Sequence, residues 1–165
     1  MRVVAYDPEW PRLIDEERAE LEVVLAPWLS AGVHHTGSTS VPGLAAKPII
    51  DMMAGVRSLE ESRAAFPVLE ERGYTYRVHR PEAHNFHVAD KFHLHLTEPG
   101  SDLWRERLAF RDALRGDPEL RREYAEWKQA HLGDSGYTGS KRPLVARVLA
   151  EQGIGLKPDA ERLSR

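Results

Sequence analysis

The chain has 165 residues, 23 basic and 26 acidic side chains, a formal net charge of -3, and 41% hydrophobic residues. It contains no cysteine, which excludes a disulfide framework, a thiolate metal site and a cysteine nucleophile. The near balance of charge argues against broad electrostatic binding of nucleic acid, so we expect a small ligand instead.

The first predicted elements are a helix and two strands separated by a turn. A capping aspartate followed by Pro8, with leucines at helical spacing, predicts a helix over residues 7–26. A short strand is predicted over 32–36, and a second over 47–56. The two-residue period of a strand places Asp51 on the same face as Met53. A carboxylate in so apolar a strand needs a partner or a ligand.

The remaining elements are predicted to be mainly helical. A serine cap and a closing glycine predict a helix over 58–73, followed by a strand over 74–79 and a connection over 80–91. Strict alternation predicts a strand over 92–96 with His93 and His95 on one face. Three helices are then expected, over residues 102–114, 118–131 and 140–152. This order predicts an α+β fold with a mixed sheet and a helical C-terminal half.

The length fits one domain, and we expect residues 1–155 to form it, with a polar tail over 156–165. No apolar run approaches the roughly 20 residues that a membrane-spanning helix needs. The segment from Met1 to Asp7 lacks the basic and apolar pattern of a secretion signal. We therefore expect a cytoplasmic protein with no membrane partner.

The turn after the first strand is the strongest candidate for a binding site. Its residues, Gly37, Ser38, Thr39 and Ser40, offer closely approachable backbone N–H groups and hydroxyls that can hold phosphate oxygens. Lys47 either reaches that phosphate or only flanks the next strand. The alternative is that the turn is an ordinary solvated one and that Asp51 pairs with an arginine or lysine.

Several segments resemble the GrpB family. They are the run from Gly37 to Asp51, Phe110-Arg111-Asp112-Ala113-Leu114-Arg115 and Tyr137-Thr138-Gly139-Ser140-Lys141, together with Tyr6-Asp7-Pro8-Glu9-Trp10 and His93-Leu94-His95. The likeness extends from residue 6 to about residue 150. It implies a nucleotidyltransferase-like fold, which in the family occurs alone or fused to a dephospho-CoA kinase.

The resemblance also implies where metal-binding carboxylates would stand. Active nucleotidyltransferases follow the Gly-Ser turn with two carboxylates one residue apart and a third on a neighbouring strand, which together hold two divalent ions. Asp51 matches the first position, but Met53 occupies the second, and His93 and His95 stand where the third is expected. Imidazole is a poor magnesium ligand and suits zinc or manganese. Asp51, His93 and His95 therefore predict a site for one divalent metal, manganese, zinc or magnesium, unless the histidines only pack beside the sheet.

Roles follow for the other polar residues. If the protein catalyses transfer, Asp51 holds the cation and His95 is its second ligand or a proton acceptor. Arg111 and Lys141, which lie in segments similar to the family, are predicted to bind phosphate. Lys128 is predicted to be an ordinary solvated cation on a helix face.

Two functions remain open at this point. The first is a metal-dependent nucleotidyltransferase that binds a nucleotide or another phosphorylated small molecule. The alternative is a non-catalytic module that binds a nucleotide or CoA-like ligand, which the methionine at position 53 favours. A metal-dependent hydrolase built on the histidines between positions 79 and 95 is a third possibility.

Overall fold

The computed structural model describes residues 2–132 and 141–155. Its sheet contains five strands in the order β1-β2-β5-β4-β3. The pair β2 and β5 is parallel, and the other neighbouring strands are antiparallel. The strands are β1 (Leu29–Thr36), β2 (Ile50–Val56), β3 (Thr75–Arg77), β4 (Ala83–Val88) and β5 (Phe92–Thr97). The mixed sheet confirms the expected α+β class.

Two of the helices in the second half begin at capping residues. Ser101 accepts a hydrogen bond from the N–H of Trp104, and Asp117 accepts from the N–H groups of Glu119 and Leu120, so both helix starts are fixed by side chains. The helices are α1 (Trp10–Val24), α2 (Leu59–Ser62), α3 (Phe66–Glu71), α4 (Asp102–Gly116), α5 (Pro118–Ala130) and α6 (Arg142–Glu151). Within the described ranges, none of them is both long and apolar enough to span a bilayer.

The two faces of the sheet differ in chemistry. One face, which we call the apolar face, packs against α1 and α3 in the main core. Its residues are Ile50, Met52, Ala54, Phe86, Phe92, Leu94 and Leu96. The opposite face, which we call the polar face, consists of Asp51, Met53, Asn85, His87, His93 and His95. The strand period thus separates a core from a set of polar side chains.

A second, smaller core joins the late helices to the connection between β1 and β2. Val41 and Leu44 of that connection pack with Leu114 of α4 and Tyr124 of α5. Helix α4 also packs against α5 and α6. The late helices are therefore anchored beside the Gly37 turn, which borders the polar face.

The structure differs from the sequence-based expectation in two elements. Residues 80–91 were expected to be a connection, but 83–88 form β4. The helix expected over 58–73 is interrupted by a turn of 3₁₀ helix at Arg63–Ala65. Pro67 explains the interruption because its nitrogen has no hydrogen to donate to a carbonyl of the preceding turn. Residues 133–140, with most of the segment from Tyr137 to Lys141, and the expected tail at 156–165 lie outside the described residues.

Candidate functional site

The turn between β1 and β2 requires a glycine at its first position. Gly37 has a φ of 71°, in the region that side-chain-bearing residues rarely adopt. A Cβ atom built at this position would lie 2.6 Å from Oδ2 of Asp51. The absence of a side chain at Gly37 therefore lets the carboxylate of β2 approach the turn directly.

Asp51 and His93 face each other across the parallel pair β2 and β5. The Nδ1 atom of His93 lies 3.4 Å from Oδ1 of Asp51, and each side chain is 26% exposed. Burial would raise the pKa of the Asp51 carboxyl, but the hydrogen bond from His93 and the positive charge of Arg107 hold that pKa below its usual value. Asp51 is therefore an anion at neutral pH. The ring of His93 also stacks on that of His87, with 3.8 Å between ring centres.

His95 is buried and uncharged beside this pair. Burial, followed by the charge of Arg107, lowers the pKa of His95 to about 3. Its Nδ1 atom is hydrogen-bonded to Oδ1 of Asn85. Since an amide oxygen only accepts, this assignment puts the ring proton on Nδ1 and leaves the lone pair on Nε2. His95 can therefore accept a ligand's hydrogen bond through Nε2, but its low pKa makes it a weak base for taking up a proton.

Lys128 was expected to be solvated, and this expectation is wrong. The side chain is 4% exposed, and its Nζ donates to the Ser38 hydroxyl at 2.9 Å and to the Ala45 carbonyl at 2.8 Å. Nζ also lies 5.2 Å from the centre of the Tyr124 ring. Burial, followed by the charges of Lys141 and Lys47, lowers the pKa of Lys128 to about 8. The helix face of Tyr124 and Lys128, four residues apart, is the signal that could have revealed this contact.

Two adjoining cavities, of about 230 and 360 Å³, form a cleft between the polar face, the Gly37 turn and helices α4–α6. Both are lined by Ser38, Asp51, His79, Arg107, Tyr124 and Lys141. The first is also lined by Gly37, Arg80, Glu106, Phe110, Arg111, Leu114, Arg142 and Val145. The second is also lined by Thr39, Ala46, Lys47, Ile49, His87, His93, His95 and Lys128. Lysines and arginines thus outnumber carboxylates along the cleft, which suits an anionic ligand.

The structure brings most of the sequence-predicted site residues to this cleft. They are Gly37, Ser38, Thr39, Lys47, Asp51, His93, His95, Arg111 and Lys141. Ser40 is not among the lining residues, and its hydroxyl donates to the Gly37 carbonyl. The Thr39 hydroxyl is hydrogen-bonded to Nε2 of His35 at 2.8 Å. The roles of Thr39 and Ser40 as phosphate contacts stay predictions.

Two arginines of α4 support the turn, and one of them, Arg111, also lines the first cavity of the cleft. Arg111 donates to the carbonyl of His35 at 3.1 Å, and Arg115 donates to the carbonyl of Ser40 at 2.8 Å. With Lys128 on the Ala45 carbonyl, cations from α4 and α5 therefore hold three backbone carbonyls around the turn. Sequence reasoning missed this role of Arg115, and it missed Arg107 and Asn85 altogether.

The donor set does not fit a centre for paired magnesium ions. Across the residues that the structure describes, no group of three or more His, Asp or Glu side chains is placed to hold a metal ion. Met53, on the same face as Asp51, is 1% exposed and offers only a thioether. The one-metal site predicted from Asp51, His93 and His95 stays a prediction.

The sequence of this chain is similar to a known protein family and to several bacterial proteins. The family model described as GrpB protein matches residues 1–151. The UPF0157 protein YqkA of Bacillus subtilis is 34% identical over an alignment of 139 residues, which covers 78% of this chain and 39% of YqkA. The chain thus spans about two fifths of that relative's length.

Solved structures show the same architecture. The crystal structure of conserved protein GrpB from Enterococcus faecalis has a TM-score of 0.81 and 27% identity, and the match covers 92% of this chain and 99% of that one. The GLD-2/RNP-8 complex has a TM-score of 0.51 and 14% identity, covering 87% of this chain and 51% of that one. The second likeness concerns the fold alone. The expected nucleotidyltransferase-like fold is confirmed.

Proposed function

This chain belongs to the GrpB family, whose model matches residues 1–151, and we propose that it binds a nucleotide or another phosphorylated small molecule in the cleft. The family is structurally related to nucleotidyltransferases. That relation concerns the fold, and the ligand is inferred from the residues of this chain.

The contact between Lys128 and Ser38 is the observation that carries the proposal. A cation that is 4% exposed has lost most of its hydration. Its Nζ donates to a serine hydroxyl and a carbonyl, and within the part of the chain that the structure describes it forms no ion pair with a carboxylate, although Asp51 lines the same cavity. Burying a charge in this way is costly unless it is compensated. A phosphate group beside the Gly37 turn would supply the missing negative charge and accept hydrogen bonds from both side chains.

The surrounding charges support the same ligand. Lys47, Arg107, Arg111 and Lys141 border the two cavities together with Lys128. Guanidinium groups bind phosphate oxygens in pairs, and ammonium groups act as compact charges. A ligand with more than one phosphate would use cations on both sides of Asp51.

Whether a reaction follows binding distinguishes two versions of the proposal. In the catalytic version, an acceptor hydroxyl bonded to Nε2 of His95 attacks the α-phosphorus of the nucleotide and loses its proton to water, because a pKa of about 3 makes His95 a weak base. The bond to the β-phosphate breaks, and the cations stabilise the pyrophosphate that leaves. The buried Met53, at the position of the second carboxylate, favours the version in which the protein binds its ligand without transfer. Only the catalytic version requires a divalent metal, so adding the metal ion tests that version.

Calorimetric titration of the full chain with ATP and with dephospho-CoA tests the proposal. Lys128→Met removes a charge-assisted hydrogen bond of about 1.5–3 kcal/mol, so we expect affinity to fall at least tenfold. Arg122→Met is the matched control, because Arg122 lies on the same helix and is 69% exposed. No binding of either compound, or equal losses in both variants, would contradict the proposal.

A second experiment separates the two versions. The ligand found by titration is added with and without manganese, zinc or magnesium, and release of labelled pyrophosphate from ATP is followed. Metal-dependent release that is lost in Asp51→Asn supports the transferase. Binding that is independent of metal, with no release, supports the binding module.

A further inference from the structure

A second pocket, of about 420 Å³, lies outside the cleft along β1, the terminal strand of the sheet. We call it the edge pocket. Helix α1 contributes Arg18 and Glu22, α4 contributes Arg111 and Arg115, and residues 31–35 of β1 complete the lining. Three arginines from two helices therefore meet at one pocket.

Within the described residues, the contacts of these arginines engage only some of their N–H groups. Each guanidinium carries five N–H donors. Arg115 donates through Nε to the Ser40 carbonyl, its one hydrogen bond among the described residues. Arg18 has a single ion pair, at 3.5 Å, with Asp15 of its own helix, and that carboxylate is 69% exposed. Arg111 is held by the Asp112 carboxylate and by the carbonyl of His35.

Among the described residues that line the pocket, no carboxylate pairs with the three guanidinium groups, because Asp15 and Asp112, the partners of Arg18 and Arg111, lie outside the lining. Its acidic residue, Glu22, accepts the backbone N–H of Val33 at 3.1 Å. His35 is kept neutral because burial, followed by the charge of Arg115, lowers its pKa to about 4. Burial, followed by the charge of Arg111, lowers the pKa of Arg115, and the charge of Arg18 lowers it further, while Asp112 acts in the opposite direction. Arg115 is therefore repelled by both of the other arginines of the pocket.

We propose that the edge pocket is a second anion site, which binds a small oxyanion with at least two negative charges, such as phosphate or pyrophosphate. The oxyanion bridges Arg18 of α1 and Arg115 of α4 and relieves their repulsion. Free phosphate and a phosphoryl group on a larger molecule share this chemistry. The proposal is independent of the function proposed for the cleft, although Arg111 lines both.

Stabilisation of the Gly37 turn explains the positions of two of the three arginines. Arg111 and Arg115 hold backbone carbonyls, and this structural role accounts for their position. Arg18 has no hydrogen bond to the turn within the described ranges. Arg18 is therefore the residue whose replacement distinguishes an anion site from a structural brace.

The test is a titration of the full, isotopically labelled chain with pyrophosphate at constant ionic strength, followed by amide NMR. We expect the amide chemical shifts of Gly32 and Val33 to change and to reach saturation. These changes should persist in Lys128→Met, a substitution that weakens anion binding in the cleft. Arg18→Gln should weaken the affinity at these amides at least tenfold, whereas the exposed Arg122→Gln should not change it. Methylphosphonate represents a phosphoryl group on a larger molecule, and phosphate represents the free ion. Separate titrations with the two compounds distinguish these sources of the oxyanion.

Each outcome decides between the two sites. Shifts at Gly32 and Val33 that depend on Arg18 support the edge pocket, whether or not the amides of Gly37 and Ser38 also respond. Shifts confined to Gly37 and Ser38 overturn the edge pocket and leave the function proposed for the cleft standing. Shifts that do not saturate, or that Arg18→Gln and Arg122→Gln reduce equally, show unspecific charge attraction and also overturn the edge pocket.

Discussion

The two faces of the sheet use the same strands for different purposes. On the apolar face, Met52 and Leu94 are fully buried in a core shared with α1 and α3. On the polar face, Asp51 and His93 retain a quarter of their exposure and border a cleft. One residue along the strand is enough to change from one environment to the other, because successive side chains point to opposite sides.

This difference teaches that stability and chemistry are separated in this fold by strand period. Apolar side chains buried on one face stabilise the sheet strongly enough to hold polar groups on the other face in fixed positions. A substitution on the apolar face should therefore change the free energy of unfolding, and one on the polar face should change binding. Four predictions test that separation.

The largest effect is expected from Leu94→Ala. Leu94 is 0% exposed, and truncating such a side chain costs about 2–5 kcal/mol of unfolding free energy. The neighbouring substitution His93→Ala is the matched control on the polar face and should cost less than about 1 kcal/mol. Urea unfolding of both variants measures the difference. Equal losses would show that the two faces are not energetically distinct.

A smaller loss is expected from Gly37→Ala. The backbone conformation at Gly37 costs about 1–3 kcal/mol for a residue with a side chain, and the new Cβ would also collide with Asp51. Gly43→Ala is the control, because Gly43 also has a positive φ but a Cβ atom added there would meet nothing within 4 Å. Urea unfolding should show a larger loss of stability for Gly37→Ala than for Gly43→Ala. ATP titration should show a loss of binding for Gly37→Ala and unchanged binding for Gly43→Ala.

Acid should destabilise the protein through its buried histidines. The folded pKa of His95 is about 3 and its unfolded value is near 6.5, so between these values the unfolded chain binds a proton that the folded chain does not. Stability is therefore fully present above pH 6.5 and falls towards pH 3, by up to about 1.4 kcal/mol per pH unit for this group.

The measurement is urea unfolding at several pH values between 4 and 7. His95→Gln should reduce the slope, and His35→Gln should reduce it in the same direction, because the folded pKa of His35 is about 4. An unchanged slope in both variants would contradict a neutral, buried state for these rings.

The smallest effect concerns the charge of Lys128. Its pKa of about 8 means that alkaline pH removes the charge that we propose for phosphate binding. Losing the charge assistance of one hydrogen bond costs about 1 kcal/mol, so ATP affinity should fall about fivefold as pH rises through 8. Calorimetry at pH 7 and pH 9 measures this change. In Lys128→Met, ATP affinity should not show this fall between pH 7 and pH 9.

The sequence predicted the elements whose patterns are regular. The alternation of 92–96 indicated β5, and the position of Asp51 in β2 was correct, because apolar neighbours mark both strands. Strand β4 was missed because polar side chains occupy both of its faces. His84 lies among aromatic rings on the apolar face and is hydrogen-bonded to the Leu59 carbonyl, so the strand shows no simple alternation.

The site could be predicted only in part. The Gly-Ser turn and Asp51 were indicated by residue type and spacing, and the structure places them in contact. Lys128 was misjudged because a lysine on a charged helix is usually solvated, and only the packing of α5 against the turn buries it. Arg107 and Asn85 act through proximity in space, which no local pattern records.

The parallel pairing of β2 with β5 also governs how the protein folds. Asp51 and His93 meet only after the chain has passed through α2, α3, β3 and β4, and closing so long a loop is entropically slow. We expect this part of the cleft to assemble late, so a bound ligand should slow unfolding in stopped-flow experiments and leave the refolding rate unchanged. Occupancy would then lengthen the lifetime of the native state, a form of kinetic protection that equilibrium measurements alone do not reveal.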